Sequence, residues 1–161
     1  MAHHDIYAEL KRDHDKQRTM LKELAELKGD GAKRKKLFEE FRLEVASHAA
    51  AEEESLYATM LGNPELRDEA RHSVAEHKEV DDLIGEMMDL DFASDEWESK
   101  FFHMRHRYEH HIDEEEEEMF PAAEAKLDDA TEERLGEVYE ERKPKELELA
   151  KEAPAGGDER E

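Results

Sequence analysis

The sequence predicts an all-α protein: an up-down-up-down four-helix bundle with a short additional C-terminal helix. Charged residues make up 44% of the 161 residues, and there are only 7 glycines and 4 prolines, a composition that favours long helices over β-structure. Apolar residues recur at steps of three and four in four successive segments, which predicts amphipathic helices. Because the connections between these segments are short, consecutive helices are expected to pack antiparallel.

The first two predicted helices carry polar side chains on their inward faces. The first helix begins at the capping residue Asp5 and ends at Gly29-Asp30-Gly31. Its inward positions are Ile6, Leu10, His14, Gln17, Leu21 and Leu24. The second helix ends at Gly62-Asn63-Pro64. Its inward positions are Leu37, Phe41, Val45, His48, Glu52 and Leu56.

The third and fourth helices show the same mixture of apolar and polar inward positions. The third carries Ala70, Val74, His77, Asp81, Ile84 and Met88. The fourth opens at Ser94-Asp95 and is expected to continue past Phe120-Pro121 without a sharp break. Its inward positions are Trp97, Phe101, Met104, Tyr108, His111, Glu115 and Met119.

The C-terminal part of the chain is expected to be simpler. A shorter fifth helix is predicted over about residues 129–142, because Pro144 interrupts the pattern. The predicted organisation is therefore a bundle over residues 1–126, a helical extension over 127–152 and a disordered polar tail over 153–161.

The two halves of the chain repeat one polar pattern at an offset of 63 residues. The coinciding pairs are His14 with His77, His48 with His111, Glu52 with Glu115, Leu56 with Met119 and Tyr57 with Phe120. Buried imidazoles and carboxylates are costly unless something compensates for them. The repeat therefore predicts a pseudo-two-fold site near the bundle axis.

Four histidines and two glutamates in this arrangement suit iron or manganese, with zinc also open. Glu52 and Glu115 come from different helices and could bridge two metal ions about 3.5–4 Å apart. The remaining coordination positions would admit water, oxygen, peroxide or nitric oxide. The alternative is a metal-free bundle whose core histidines are only hydrogen-bonded. A ferritin-type site is excluded, because it needs a Glu-x-x-His pair on each of two helices and this chain has only Glu69 to His72.

Other candidate side chains carry a weaker signal. The surface or rim is expected to hold His72, His103, His106 and His110, and no site is expected at His3 or His4. Asp81 is a further candidate ligand, an acceptor for a ligand histidine, or a partner of Arg18. Glu53 is also a candidate ligand, since it follows Glu52 directly. Of the glutamate run over residues 114–118, only Glu115 lies squarely on the inward face.

The net charge of −23 argues against binding to nucleic acid and to anionic membrane surfaces. There is no cysteine, so no disulfide or thiolate site is available. The N-terminus lacks a signal segment and no run approaches the roughly 18 apolar residues of a membrane span. A cytoplasmic protein is the expectation.

These motifs resemble the hemerythrin-like (HHE cation-binding) family over roughly residues 5–125. The resemblance lies in His14, His48-x-x-x-Glu52 with Leu56-Tyr57, His77, and His111-x-x-x-Glu115 with Met119-Phe120-Pro121. It implies a four-helix bundle with a non-haem di-iron centre, its two iron ions bridged by oxo, hydroxo or water. It also implies iron over manganese or zinc.

The resemblance includes one departure. Oxygen-carrying hemerythrins have His-x-x-x-His on the third helix and His-x-x-x-x-Asp on the fourth, whereas this chain has Asp81 after His77 and Glu115 after His111. This weakens the expectation of reversible oxygen carriage and favours members linked to peroxide breakdown, nitric oxide, iron-centre repair or iron sensing. Repair members usually add a cysteine-bearing segment, which is not found here.

The expected function is therefore that of a di-iron protein that binds or reacts with oxygen, peroxide or nitric oxide. As an enzyme it would be catalase-like or another oxidoreductase acting on these small ligands. The alternative is an iron-binding sensor or storage module without turnover. The sequence does not identify a protein partner or a redox partner.

Overall fold

The computed structural model describes residues 5–153, and this part of the chain folds into helices without any strand. The main helices are α1 (Ile6–Glu26), α2 (Gly31–Glu52), α3 (Arg67–Met88), α4 (Asp95–Glu114) and α5 (Asp129–Glu152). A π-helical turn extends α2 over Glu53–Tyr57 and α4 over Glu115–Met119. Short α-helical ends follow at Ala58–Leu61 and Phe120–Lys126. The all-α prediction is confirmed, and α4 continues past Pro121 as expected.

Polar capping residues set most of the helix starts. The Asp5 carboxylate accepts from the amides of Tyr7 and Ala8 at 3.0 and 3.3 Å, and the Ser94 hydroxyl accepts from Trp97 at 3.1 Å. Each cap satisfies an amide that has no partner within its helix. The predicted starts of the first and fourth helices are therefore confirmed.

The hydrophobic core consists of two clusters separated by a polar layer. One cluster includes Leu21 and Leu24 of α1, Phe41 of α2, Ile84 of α3 and Trp97 of α4. The other includes Ile6, Leu10, Leu56, Ala70 and Phe120. On each of α1 to α4, the residues between the two clusters are the histidines and glutamates of the predicted site. The polar layer is thus enclosed by apolar packing at both ends.

The buried face of α3 differs from the prediction by one residue. Ser73, Val80 and Met87 are buried, whereas Val74, Asp81 and Met88 are only half-buried. Both sets keep helical spacing with His77, so periodicity alone does not decide between them. The placement of Asp81 on the buried face was wrong.

The fifth helix is also longer than predicted. It runs from Asp129 to Glu152 through Pro144, so the expected end near residue 142 was wrong. Proline has no amide hydrogen, so the helix loses one hydrogen bond there. Packing of α5 along α2 and α1, with Leu135 and Tyr139 buried, offsets this loss.

Two further predictions concern the ends of the chain and the possibility of a membrane span. The predicted tail beyond Ala153 and the histidines at positions 3 and 4 lie outside the described residues. Among residues 5–153, no helix has the length and apolar character needed to cross a membrane.

Candidate metal centre

The polar layer brings together six side chains from four helices. Each is at most 6% exposed. They are His14 on α1, His48 and Glu52 on α2, His77 on α3, and His111 with Glu115 at the end of α4. All six residues singled out by the repeat in the sequence therefore meet at one place.

Each glutamate lies between one histidine of its own half and one of the other half. Glu52 Oε1 is 3.6 Å from His48 Nε2 and 3.4 Å from His77 Nε2. Glu115 Oε1 is 2.7 Å from His111 Nε2 and 3.8 Å from His14 Nε2. Two donor groups, each with its ligand atoms within 4.8 Å of one another, have Glu52 in common. Such an arrangement is suited to two cations joined by carboxylates.

The outer nitrogen of every histidine lies against a carboxylate. The four pairs are His14 with Glu116 (2.7 Å), His48 with Asp13 (3.1 Å), His77 with Glu53 (2.8 Å) and His111 with Glu76 (2.8 Å). A carboxylate accepts the Nδ1 proton, which leaves the inward Nε2 as the free donor atom.

The packing of the rings also repeats between the halves. His14 stacks on Phe120 and His77 stacks on Tyr57, with ring centres 6.0 and 5.4 Å apart. Because each ring is fixed by stacking on one side and by a carboxylate at Nδ1, its Nε2 is held toward the bundle axis.

Several buried polar atoms at the centre have no hydrogen-bond partner. These are Nε2 of His14 and His48 and both carboxylate oxygens of Glu52. Nε2 of His111 and Oε1 of Glu115 lie 2.7 Å apart and are each other's partners. Unpaired buried polar atoms are rare in folded proteins, because each one costs about 1–3 kcal/mol. Imidazole nitrogens and carboxylate oxygens are ligands for first-row transition metals, so a bound cation fits the residues present.

The charges at the centre are strongly coupled. Burial and the nearby charge of Glu115 raise the pKa of Glu52 well above its usual value. Burial alone would lower the pKa of His111, but the charge and hydrogen bonds of Glu115, together with Glu76, raise it to about 9. Burial lowers the pKa of both His14 and His77. In the metal-free chain Glu52 and His111 therefore hold protons, and a bound cation would displace them.

A π-helical turn follows Glu52, and a second one begins at Glu115. In these turns the Ala58 amide bonds to the carbonyl of Glu53, and the Phe120 amide to the carbonyl of Glu115. Each turn accommodates one more residue than an α-helical turn. In α4 the turn comes directly before Pro121, which has no amide hydrogen to contribute to a regular ladder.

One hydrogen bond at the centre has no counterpart. The Tyr57 hydroxyl donates to Glu115 Oε2 at 2.8 Å. The repeat aligns Tyr57 with Phe120 and Glu115 with Glu52, so the equivalent contact would join Phe120 to Glu52. A phenylalanine ring has no hydroxyl to donate. Glu115 is therefore held by the protein, whereas both oxygens of Glu52 are unpartnered.

Helix α5 covers the first half of the centre. The Tyr139 hydroxyl donates to Asp13 Oδ2 and lies 2.7 Å from His48 Nδ1. Lys143 Nζ donates to Asp13 at 2.7 Å and to Glu44 at 2.9 Å. Burial would raise the pKa of Asp13, but its hydrogen bonds with His48 and Lys143 lower it. A surface pocket of about 550 Å³ lies beside these contacts, and its lining includes Asp13, Glu44 and Tyr139 but none of the six central residues.

The second half opens to solvent through a cleft of about 240 Å³. His111 and Glu115 line its buried side, and Glu76 and Glu114 line the part nearer the surface. Among the described residues that line the cleft there is no lysine or arginine. A small ligand could reach the polar layer from this side.

The remaining histidines among residues 5–153 lie on the surface, as expected. These are His72, His103, His106 and His110. The two additional ligand candidates also have definite positions. Asp81 belongs to none of the clusters able to hold a cation among the described residues. Glu53 lies at the outer nitrogen of His77 instead of inside the layer.

The sequence reasoning missed three of the carboxylates that hold the histidine rings. Asp13, Glu76 and Glu116 were not singled out, although 13 and 76 differ by the repeat offset, as do 53 and 116. Extending the repeat comparison to the neighbours of each ligand would have found them.

A helical domain with buried, repeated histidines and glutamates defines a class of cation-binding protein. A profile of the hemerythrin HHE cation-binding domain matches residues 5–123. The chain belongs to this family.

A solved structure supports the same conclusion. The chain is similar to a hemerythrin HHE cation-binding domain-containing protein from Mycobacterium kansasii, with 25% identity and a TM-score of 0.80. The similarity covers 92% of this chain and 90% of the other. Comparison with curated proteins gives no match.

Proposed function

We propose that the polar layer binds two iron ions. His14, His48, His77 and His111 act as terminal ligands, and Glu52 and Glu115 bridge the ions. In this proposal α1 to α4 run up-down-up-down around the pair. The observation that carries it is the set of unpartnered buried nitrogen and oxygen atoms at the centre. A mixed imidazole and carboxylate donor set suits iron, and the family resemblance favours it over manganese and zinc.

We further propose that the centre binds or reacts with oxygen, peroxide or nitric oxide. Iron supplies redox chemistry toward such ligands when bound. Six protein side chains do not complete the coordination of two six-coordinate ions. The cleft beside His111 and Glu115 offers a small ligand a route inward.

The protein side chains prepare the site for this chemistry. The carboxylates at Nδ1 keep each imidazole in the tautomer that presents Nε2 and increase its basicity. Tyr57 holds Glu115 in place by its hydrogen bond. The two apolar clusters exclude bulk water from the ends of the layer. Tyr57 also offers a hydroxyl proton at Glu115, within the layer.

Metal analysis of the full chain produced with ample iron tests the proposal. We expect two iron ions per chain, and oxygen evolution from peroxide or spectral changes with oxygen or nitric oxide. The variants His111→Ala and Glu52→Gln should lose iron, whereas His106→Ala, an exposed histidine on the same helix as His111, should keep it. A wild-type chain without bound metal would overturn the proposal. Bound iron that reacts with none of these ligands would overturn the second part.

A second candidate function is iron sensing without turnover. It is favoured by the direct connection of His48 to helix α5 through Tyr139 and Asp13. Loss of metal from His48 would then weaken the attachment of α5. Hydrogen exchange of α5 amides with and without iron tests this, and equal protection in both states would count against it.

A further inference from the structure

The cleft in the second half of the repeat is lined by His111 and Glu115 of the polar layer. A pocket of about 550 Å³ on the first half is lined by Asp13, Glu44 and Tyr139 and by none of the six central residues. In the repeat, His72 aligns with Glu9, and Glu114 aligns with Ala51. Glu9 and Ala51 are buried on the side that α5 covers, whereas His72 is 58% exposed. Of these two openings, the one in the second half is lined by central residues.

Three side chains at the mouth of this cleft form a ligand set of their own. His72 Nε2 lies 3.4 Å from Glu76 Oε2 and 3.5 Å from Glu114 Oε1. Their ligand atoms lie within 4.8 Å of one another. A histidine with two carboxylates is a donor set that first-row divalent cations accept.

The walls of the cleft add further negative charge. Asp68, Glu69 and Glu118 line it together with the three ligand candidates. Burial raises the pKa of Glu69, and the charges of Glu118 and Glu114 raise it further. Negative charge in a narrow cleft raises the local concentration of cations.

Glu76 connects the mouth of the cleft to the buried layer. Its Oε2 faces His72, while its Oε1 lies 2.8 Å from Nδ1 of His111. His111 is 1% exposed, and its Nε2 lies 2.7 Å from Oε1 of Glu115. Both residues line the buried side of the cleft. A cation held at the mouth would therefore face an imidazole nitrogen and a carboxylate oxygen of the centre further in.

We propose that His72, Glu76 and Glu114 form an entry site that takes a divalent first-row cation from solvent and passes it to the buried centre. The inference rests on the proposed function, since the entry site needs a centre to supply. It assigns the exposed His72 a role separate from that of the buried histidines. No electron or covalent bond is exchanged in this step; the ion changes its ligands and solvating water.

Manganese binding to the zinc-loaded full chain tests the site directly. Zinc is limited to two equivalents per chain so that it occupies the buried centre and leaves the mouth of the cleft free, and manganese, which binds such ligands more weakly, does not displace it. We expect paramagnetic Mn²⁺ to broaden the imidazole NMR signals of His72 at concentrations that leave those of His103 sharp. His103 is the control, because it is exposed on the same helix as Glu114 but does not line the cleft. Equal broadening of both signals would overturn the proposal.

The rate of metal uptake tests the transfer. Uptake of Co²⁺ by the metal-depleted full chain can be followed by its absorption in stopped-flow experiments. The double variant His72→Ala/Glu114→Gln should load about tenfold more slowly than wild type, as expected for loss of electrostatic steering, and reach the same final stoichiometry. The variant His103→Ala should load at the wild-type rate.

The two proposals fail in different ways. Uptake at the wild-type rate by the double variant, with two ions bound, would overturn the entry site and leave the buried centre intact. A wild-type chain that binds no ion at the buried centre would overturn the proposed function, and the entry site with it. Slower uptake together with selective broadening of His72 supports the entry site.

Discussion

The two halves of the chain are alike inside and different outside. Around the centre, the histidines, their Nδ1 carboxylates and their ring-stacking partners all recur at an offset of 63 residues. On the outside, α5 covers the first half, while the second half opens through an acidic cleft. The comparison indicates that ligand geometry restricts the inner residues of both halves, whereas their surfaces can take different roles.

The inner likeness is also incomplete. The Tyr108 hydroxyl donates to Gln17, and the Gln17 amide donates to Glu44 at 2.7 Å. At the repeat-related positions, both Val45 and Val80 are apolar. Polar contacts therefore continue beyond the metal layer between α4 and α1, whereas the repeat-related positions on α2 and α3 end in hydrophobic packing.

Removal of metal should produce the largest effect, because both halves supply the proposed ligands. An ion present at about 1,000 times its dissociation constant contributes about 4 kcal/mol of stability. For a chain of this size, chelation should lower the melting temperature by on the order of 10 °C. Calorimetry of the iron-loaded chain before and after chelation measures this shift.

The repeat provides matched variants for that measurement. His14→Ala and His77→Ala remove equivalent ligands and should each reduce the shift by a similar amount. An effect of only one of them would show that the halves are not equivalent at the centre.

Neutralising the two central glutamates one at a time should have different effects on the stability of the chain. In the metal-free chain at neutral pH, Glu115→Gln breaks the buried pair with His111 and should destabilise by about 3 kcal/mol. Glu52→Gln replaces a buried carboxyl group that already holds its proton beside Glu115, so it should cost less than about 1 kcal/mol or stabilise the chain. Urea unfolding of both variants measures the difference. Equal losses would contradict the asymmetry that Tyr57 and His111 create.

Loss of the Tyr139 hydroxyl should affect the covered half alone. Tyr139→Phe removes the hydrogen bond to Asp13 and should cost about 1–2 kcal/mol. The imidazole NMR signals of His48 should shift, and those of His111 should stay in place. Leu149→Ala is the control, because Leu149 lies exposed on the same helix. Shifts at both histidines would show that α5 acts on the whole centre.

The smallest effect concerns the contact of α5 with Glu54. Burial and a hydrogen bond with Glu146 raise the pKa of Glu54 from 4.5 to about 7 in the folded chain. The folded state therefore holds this proton more tightly than the unfolded chain. The contribution of Glu54 to the free energy of unfolding is therefore fully present below pH 4.5 and is lost as the pH rises through about 7. Unfolding measured from pH 5 to 8 should show a slight decline that Glu54→Gln removes, and an unchanged decline in the variant would contradict this assignment.

Much of the fold could be predicted from the sequence. Helix starts depended on capping residues such as Asp5 and Ser94, whose effect is local. The six central residues were found because histidine and glutamate are unusual on an inward helical face and recurred at one offset. Their role as metal ligands stays a prediction that the structure makes physically reasonable.

Other features depended on packing between distant segments. The register of α3 is decided by neighbours that favour Ser73 over Val74, two positions that periodicity treats alike. Helix α5 passes Pro144 because its packing on α2 offsets the lost hydrogen bond. The carboxylates at Nδ1 went unnoticed because acidic residues number 47 in this chain, so a single one carries little signal.

The π-helical turns determine which residues of α2 and α4 face the core beyond the metal layer. Beyond the turns, Met60 and Ala123 are buried while Thr59 and Ala122 are partly exposed, so the inward face arrives one residue later than an uninterrupted α-helix would place it. Deleting one residue there would rotate everything beyond by roughly 100°. The two apolar clusters are thus set in phase by a single extra residue in each helix, and insertions or deletions between them should be poorly tolerated.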